Sequence, residues 1–155
     1  MTTQTLLAID AGMTCGFAFF CLETQQLLRY RSHNYGNLVR LRRAASAFLA
    51  DEPTVRAIIL EGGGSIADVW VKPARHRNIP IQCIPAEQWR AESLLPREQR
   101  RGFIAKKAAI ASARTQINDH AAKRSKALRD DTAEAIMVGE WALGRLPELF
   151  PELSV

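Results

Sequence analysis

The sequence predicts an α/β domain on a mixed five-stranded sheet, and three observations carry that prediction. Three short apolar runs between Thr5 and Arg31 are separated by turn residues, as in an antiparallel meander. From Leu38 onward, helix-spaced segments alternate with β-branched runs, the pattern that lays helices over a sheet. With 155 residues and 47% hydrophobic content, the chain is expected to form one domain, 1–155, with a single core and no staples.

Each element has its own signal. Thr5 to Ile9 is a buried strand, Gly16 to Leu22 a second, and Gln26 to Arg31 a third, more polar one. Leu38, Leu41, Ala45, Phe48 and Leu49 recur at helical spacing, so Leu38 to Leu49 is a helix. Val55 to Leu60 is a β-branched strand that runs into Glu61 and three glycines. Ser65 is placed to cap a helix to about Lys72, which Pro73 should end or kink. Ile79 to Ile84 is the fifth strand. Ala91 to Gly102 is polar and basic, the mark of a mobile loop. Phe103 to Ile117 is helical, His120 to Ala127 is a basic connection, and Asp130 to Leu146 is the last helix. From about residue 147 the chain is expected to trail off as a tail.

Composition narrows the function. No apolar run is long enough for a membrane span, and MTTQT does not resemble a secretory signal, so a cytoplasmic protein is expected. Cys15, Cys21 and Cys83 are odd in number, lack CxxC spacing, and are expected to be buried reduced thiols. The net charge is +5, and ten Lys or Arg residues crowd between Arg97 and Arg129 with only Glu98 and Asp119 against them. That imbalance suits a polyanionic partner, although solvated helix faces also carry such runs. His33, His76 and His120 have no ligand spacing and are expected at the surface. Trp89 and Trp141 are expected in the core.

The acids carry more information. Asp10 follows the first strand, and Glu61 the fourth. In an open α/β sheet, strand ends are where ligand sites form. The last helix opens with DDTAEA, where Asp131 and Glu134 share a face, as do Asp130 and Glu134. Each acid alone also fits a turn or a helix N-terminus. Together they would repel by about 3 kcal/mol per pair at ~5 Å and an effective dielectric of ~20. A cation offsets such a cluster, and oxygen-only ligands point to Mg²⁺ or Mn²⁺.

The segments AIDAGMTCGFAFF, AIILEGG and DDTAEAIMVGEWA, in this order and spacing, resemble RuvC-type Holliday-junction resolvases of the ribonuclease H-like fold. The likeness runs from Leu6 to about Trp141 and leans toward the short, phage-type members. It implies that Asp10, Glu61, Asp131 and Glu134 are the metal ligands, with Asp130 the alternative to Asp131. PAEQWR and GFIAKKAAI resemble the family's basic stretch, which implies a catalytic role for Lys107, with Lys106 one register away. Two departures stand out: Glu134 replaces the usual Asp, and Gly64 replaces a common aromatic after the second acid.

The resemblance implies a crossover junction endodeoxyribonuclease that uses two Mg²⁺ ions per site, with Mn²⁺ as a substitute. Paired cuts in branched DNA would leave 5′-phosphate and 3′-hydroxyl ends. Arg97, Arg100, Arg101, Lys106 and Lys107 would hold the DNA backbone. A two-fold substrate asks for a homodimer. Ile66, Val69 and Trp70 form an apolar stripe that either packs on the sheet or makes that interface. The rivals are another nuclease of the same fold, acting on RNA–DNA hybrids or as an exonuclease, and a non-catalytic junction binder. A third rival is an actin- or sugar-kinase-like ATP-binding domain, although one lobe is too short for it and no nucleotide cofactor is expected.

Overall fold

A computed structural model of the chain describes residues 2–93, 102–119 and 130–154, with the side chains of 102–107, 116, 118, 119 and 130 outside that description. The basic residues Arg97, Arg100 and Arg101 and the histidine His120 therefore lie outside the described residues, as does the expected basic connection 120–127.

The five strands are β1 (Thr5–Asp10), β2 (Thr14–Cys21), β3 (Leu27–Asn34), β4 (Val55–Glu61) and β5 (Ile81–Ile84). They form one sheet in the order β3-β2-β1-β4-β5. β1 to β3 pair antiparallel, while β4 and β5 join parallel to β1 and to each other. This is the mixed sheet expected from the meander and the alternating second half.

Alternation along the strands sends successive side chains to opposite faces. Leu7, Ile9, Phe17, Ile58 and Leu60 pack under helices α1 (Leu38–Ala50) and α2 (Gly64–His76). Asn37 caps α1, its side chain accepting from the Arg40 N–H at 2.9 Å. Leu6, Ala8, Phe20, Ala57 and Ile59 pack against α3 (Ala86–Ser93), α4 (Gly102–Asp119) and α5 (Asp130–Leu143). Among the described residues, no helix is long and apolar enough to cross a membrane.

Two glycines let α5 lie close to the sheet. A Cβ at Gly16 of β2 would meet the Asp131 carbonyl oxygen at 1.9 Å, and one at Gly139 would meet the Phe20 ring at 2.1 Å. The helix that carries DDTAEA is thereby pressed onto the ends of β1 and β2.

Several expectations are corrected. α2 runs through Pro73 to His76 rather than stopping at Lys72. Proline costs a helix interior about 3 kcal/mol, but the fully buried Ala74 keeps the next turn on the sheet. Ser65 lies inside α2, whose cap is Gly63, with no side-chain hydrogen bond. Residues 91–93, expected in a loop, finish α3. The expected tail instead folds as α6 (Leu146–Leu149) and a 3₁₀ turn (Pro151–Leu153), and Phe150 is fully buried in the core. Cys83 is exposed on the edge strand β5, unlike the buried Cys15 and Cys21. Trp70 is fully buried, in edge contact with Phe17 at 5.5 Å and with Phe48 at 5.6 Å. Trp70 and Val69 are thus core residues and not an exposed interface stripe.

Candidate metal centre

The candidate site begins as one row across the sheet. Glu61 pairs with Asp10, Asp10 with Gly16, and Gly16 with Ser32, so four strands contribute to a single line. Because the register is shared, the two carboxylates leave neighbouring strand ends on the same face, beneath the first turns of α5. Glu134, one turn into α5, completes the group. Ligand oxygens of Asp10, Glu61 and Glu134 all lie within 4.8 Å of one another.

Asp131 flanks this trio. The Ser32 hydroxyl donates to its Oδ2 at 2.6 Å, which ties the start of α5 to the edge strand β3. Asp130 opens the helix, and its side chain is outside the described residues. Lys106 and Lys107 belong to α4, which packs on α5, and their side chains are likewise outside the description. His33 and His76 are exposed, as expected.

Burial makes the acids costly to ionise. Asp10 is pushed up to about 9, first by desolvation and then by the charges of Glu134 and Glu61. Glu61 is pushed up to about 7 by desolvation and Glu134, against the lowering pull of the Trp89 hydrogen bond and the Arg90 charge. Two neighbours that sequence reasoning left out account for that pull. The Trp89 indole N–H donates to Glu61 Oε2 at 2.5 Å, and Arg90 forms an ion pair with Glu134. PAEQWR was singled out only by its resemblance to a family's basic stretch, and nothing in its spacing announces these contacts. Trp89 and Trp141 are buried, in line with their expected core positions.

The donor set fits a divalent cation. Two buried carboxylates, Glu61 and Glu134, and the half-buried Asp10 bring ligand oxygens within 4.8 Å of one another, and burial and mutual repulsion raise Asp10 and Glu61 above the usual carboxylate range. Oxygen ligands without His or Cys suit a hard ion of the Mg²⁺ or Mn²⁺ type. Asp10, Glu61 and Glu134 are the residues placed to hold it, with Asp131 alongside.

Fold and site together define an α/β domain of the ribonuclease H-like fold with an acid cluster at the ends of two paired strands. No protein-family model and no curated protein matches the sequence. Among solved structures, the chain is similar to RuvC of Thermus thermophilus, with a TM-score of 0.64 and 14% identity, covering 92% of this chain and 95% of that one. It is also similar to Ydc2, the yeast mitochondrial Holliday junction resolvase, with a TM-score of 0.57 and 10% identity over 99% of this chain and 87% of that one. The resemblance carried by three short motifs is thus matched at the level of the fold.

Proposed function

We propose that this chain is a divalent-metal-dependent endonuclease that resolves four-way or other branched DNA junctions by paired phosphodiester cleavage. The observation that carries the reading is the registered pair Asp10 and Glu61, joined by Glu134 within 4.8 Å, on a fold shared with two proteins named as RuvC and a Holliday junction resolvase.

Asp10, Glu61 and Glu134 hold the cations, and Asp131, braced by Ser32, keeps the start of α5 in place beside them. Bound there, Mg²⁺ supplies activation of water and neutralises charge on the scissile phosphate and the leaving oxygen. Lys107 adds positive charge at that phosphate. Arg97, Arg100, Arg101 and Lys106 grip the backbone without reading bases. The products are 5′-phosphate and 3′-hydroxyl ends. The described residues hold one acid cluster, so two symmetric cuts call for a homodimer, which presents two clusters to a two-fold junction.

The test compares four-way, three-way and linear duplex DNA in Mg²⁺, with Asp10→Asn as control. Preferential, paired cutting of the four-way substrate supports the proposal. Equal or better cutting of an RNA–DNA hybrid would assign the site to another nuclease of this fold. ATP hydrolysis without cleavage would assign it to the kinase-like alternative.

A further inference from the structure

Two consecutive residues of α3 touch two different acids of the cluster. Trp89 is fully buried, and its indole N–H is bonded to Glu61. Arg90, the next residue, pairs through Nη2 with Glu134, whose side chain is only 6% exposed. The Arg90 Nε is buried without a hydrogen-bond partner among the described residues. The guanidinium carbon also stands 5.4 Å from the Trp89 ring centroid, so the two side chains brace one another. Neighbouring positions on a helix diverge by about 100°, which lets one short element reach both a strand-borne and a helix-borne carboxylate.

The two contacts differ in chemical kind. An indole is a neutral donor and cannot ionise; it orients Glu61 and favours its charged form, which a metal ligand requires. A guanidinium is a permanent cation. It neutralises Glu134 as an incoming cation would, and it repels that cation at short range. Because the pair is largely withdrawn from water, it is not a surface ion pair of negligible strength.

We propose that α3 sets the cation affinity of the acid cluster through these two positioning residues acting in opposite directions. Trp89 raises affinity by holding Glu61, and Arg90 lowers it by occupying Glu134 until a divalent cation takes its place. The inference rests on reading the cluster as a cation site. Its consequence is that the metal-free chain carries its own counter-ion, and loading is an exchange rather than a simple addition.

The experiment is a Mn²⁺ titration of the full chain, read by the paramagnetic resonance of free Mn²⁺ and by melting temperature without metal. Arg90→Gln should bind Mn²⁺ about tenfold tighter and melt lower without metal. Trp89→Phe should bind about tenfold more weakly, because the ring stays while the ligand loses its orienting bond. A merely structural α3 would move both variants the same way, and that result overturns the inference. Should Arg90→Gln not fold, Arg90→Met carries the test: it keeps the apolar stem but loses the charge, so affinity should rise about tenfold, and an unchanged affinity overturns the role of Arg90. Mn²⁺ binding that is lost in Asp10→Asn yet unchanged in both α3 variants rejects α3 alone. No binding by the unmodified chain rejects the cation site and the inference with it.

Discussion

The two faces of one sheet differ by a single step in residue number. Leu7 and Ile9 of β1 point to α1 and α2, where Phe17, Phe48 and Trp70 close an aromatic core with Phe17 and Phe48 stacked at 4.6 Å. Leu6, Ala8 and Asp10 point to α5, and there the apolar face ends in the half-buried Asp10 and the buried Glu61 and Glu134. The first face is held by dispersion and desolvation, and no carboxylate belongs to its described core cluster. On the second, the same desolvation opposes the groups it buries, and the Trp89 hydrogen bond and the Arg90 charge relieve it in part. An edge of clustered acids needs the other face to be stable enough to hold it together.

The largest effects should come from one substitution on each face, seen in different observables. Trp70→Ala should lower stability by about 3–5 kcal/mol in urea unfolding, with the cutting rate per folded molecule unchanged. Asp10→Asn should lower junction cutting by roughly 10³-fold while the fold and junction binding persist, measured by initial rates beside gel shifts. A folded Trp70→Ala protein that has lost its activity would dissolve the division between the faces.

Gly16→Ala attacks the contact that brings α5 to the acids. Its Cβ would collide with the Asp131 carbonyl, so a loss of about 1–3 kcal/mol is expected, with cleavage reduced more than stability alone explains. Unfolding curves and single-turnover rates on the same preparation separate the two.

Acidity sharpens the comparison. Asp10 moves from 3.8 to about 9 on folding and Glu61 from 4.5 to about 7, so the folded chain holds protons that the unfolded chain releases. Between pH 4.5 and 7 both groups make stability fall as pH rises; from 7 to 9 only Asp10 continues to do so. The metal-free melting temperature should therefore decline across this range. Excess Mg²⁺ should offset the decline by binding the ionised folded site. Asp10→Asn should flatten it and raise the metal-free melting temperature at pH 8. A native curve that rises from pH 5 to 9 would contradict the buried cluster.

The smallest effect belongs to Ser32→Ala, which removes the hydroxyl that donates to Asp131. A cost of about 1 kcal/mol is expected, with a few-fold loss in cutting rate if Asp131 only steadies the start of α5. A loss as large as that of Asp10→Asn would promote Asp131 to a ligand of equal rank.

Local pattern was enough to find the strands, the order of helices and the acids at strand ends. Period two and period 3.6 report which residues share a face, and a β-branched run ending on Glu61 before three glycines marks a strand end by itself. The approach of β4 to β1, which turns two such acids into a registered pair, is a non-local event that the motif order suggested and the sheet displays. Other features had no local sign. Burial of Ala74 carries α2 past Pro73, and burial of Phe150 turns the expected tail into part of the core. Likewise, periodicity could mark Ile66, Val69 and Trp70 as one apolar stripe but not say what covers it. Packing against Phe17 and Phe48 answers that for Trp70. The sequence by itself determined which residues are acidic, apolar or basic and how they repeat. Only the tertiary structure decided that Trp89 and Arg90 meet Glu61 and Glu134, because contacts between elements distant in the chain depend on how helices settle on a sheet, and no repeat records that.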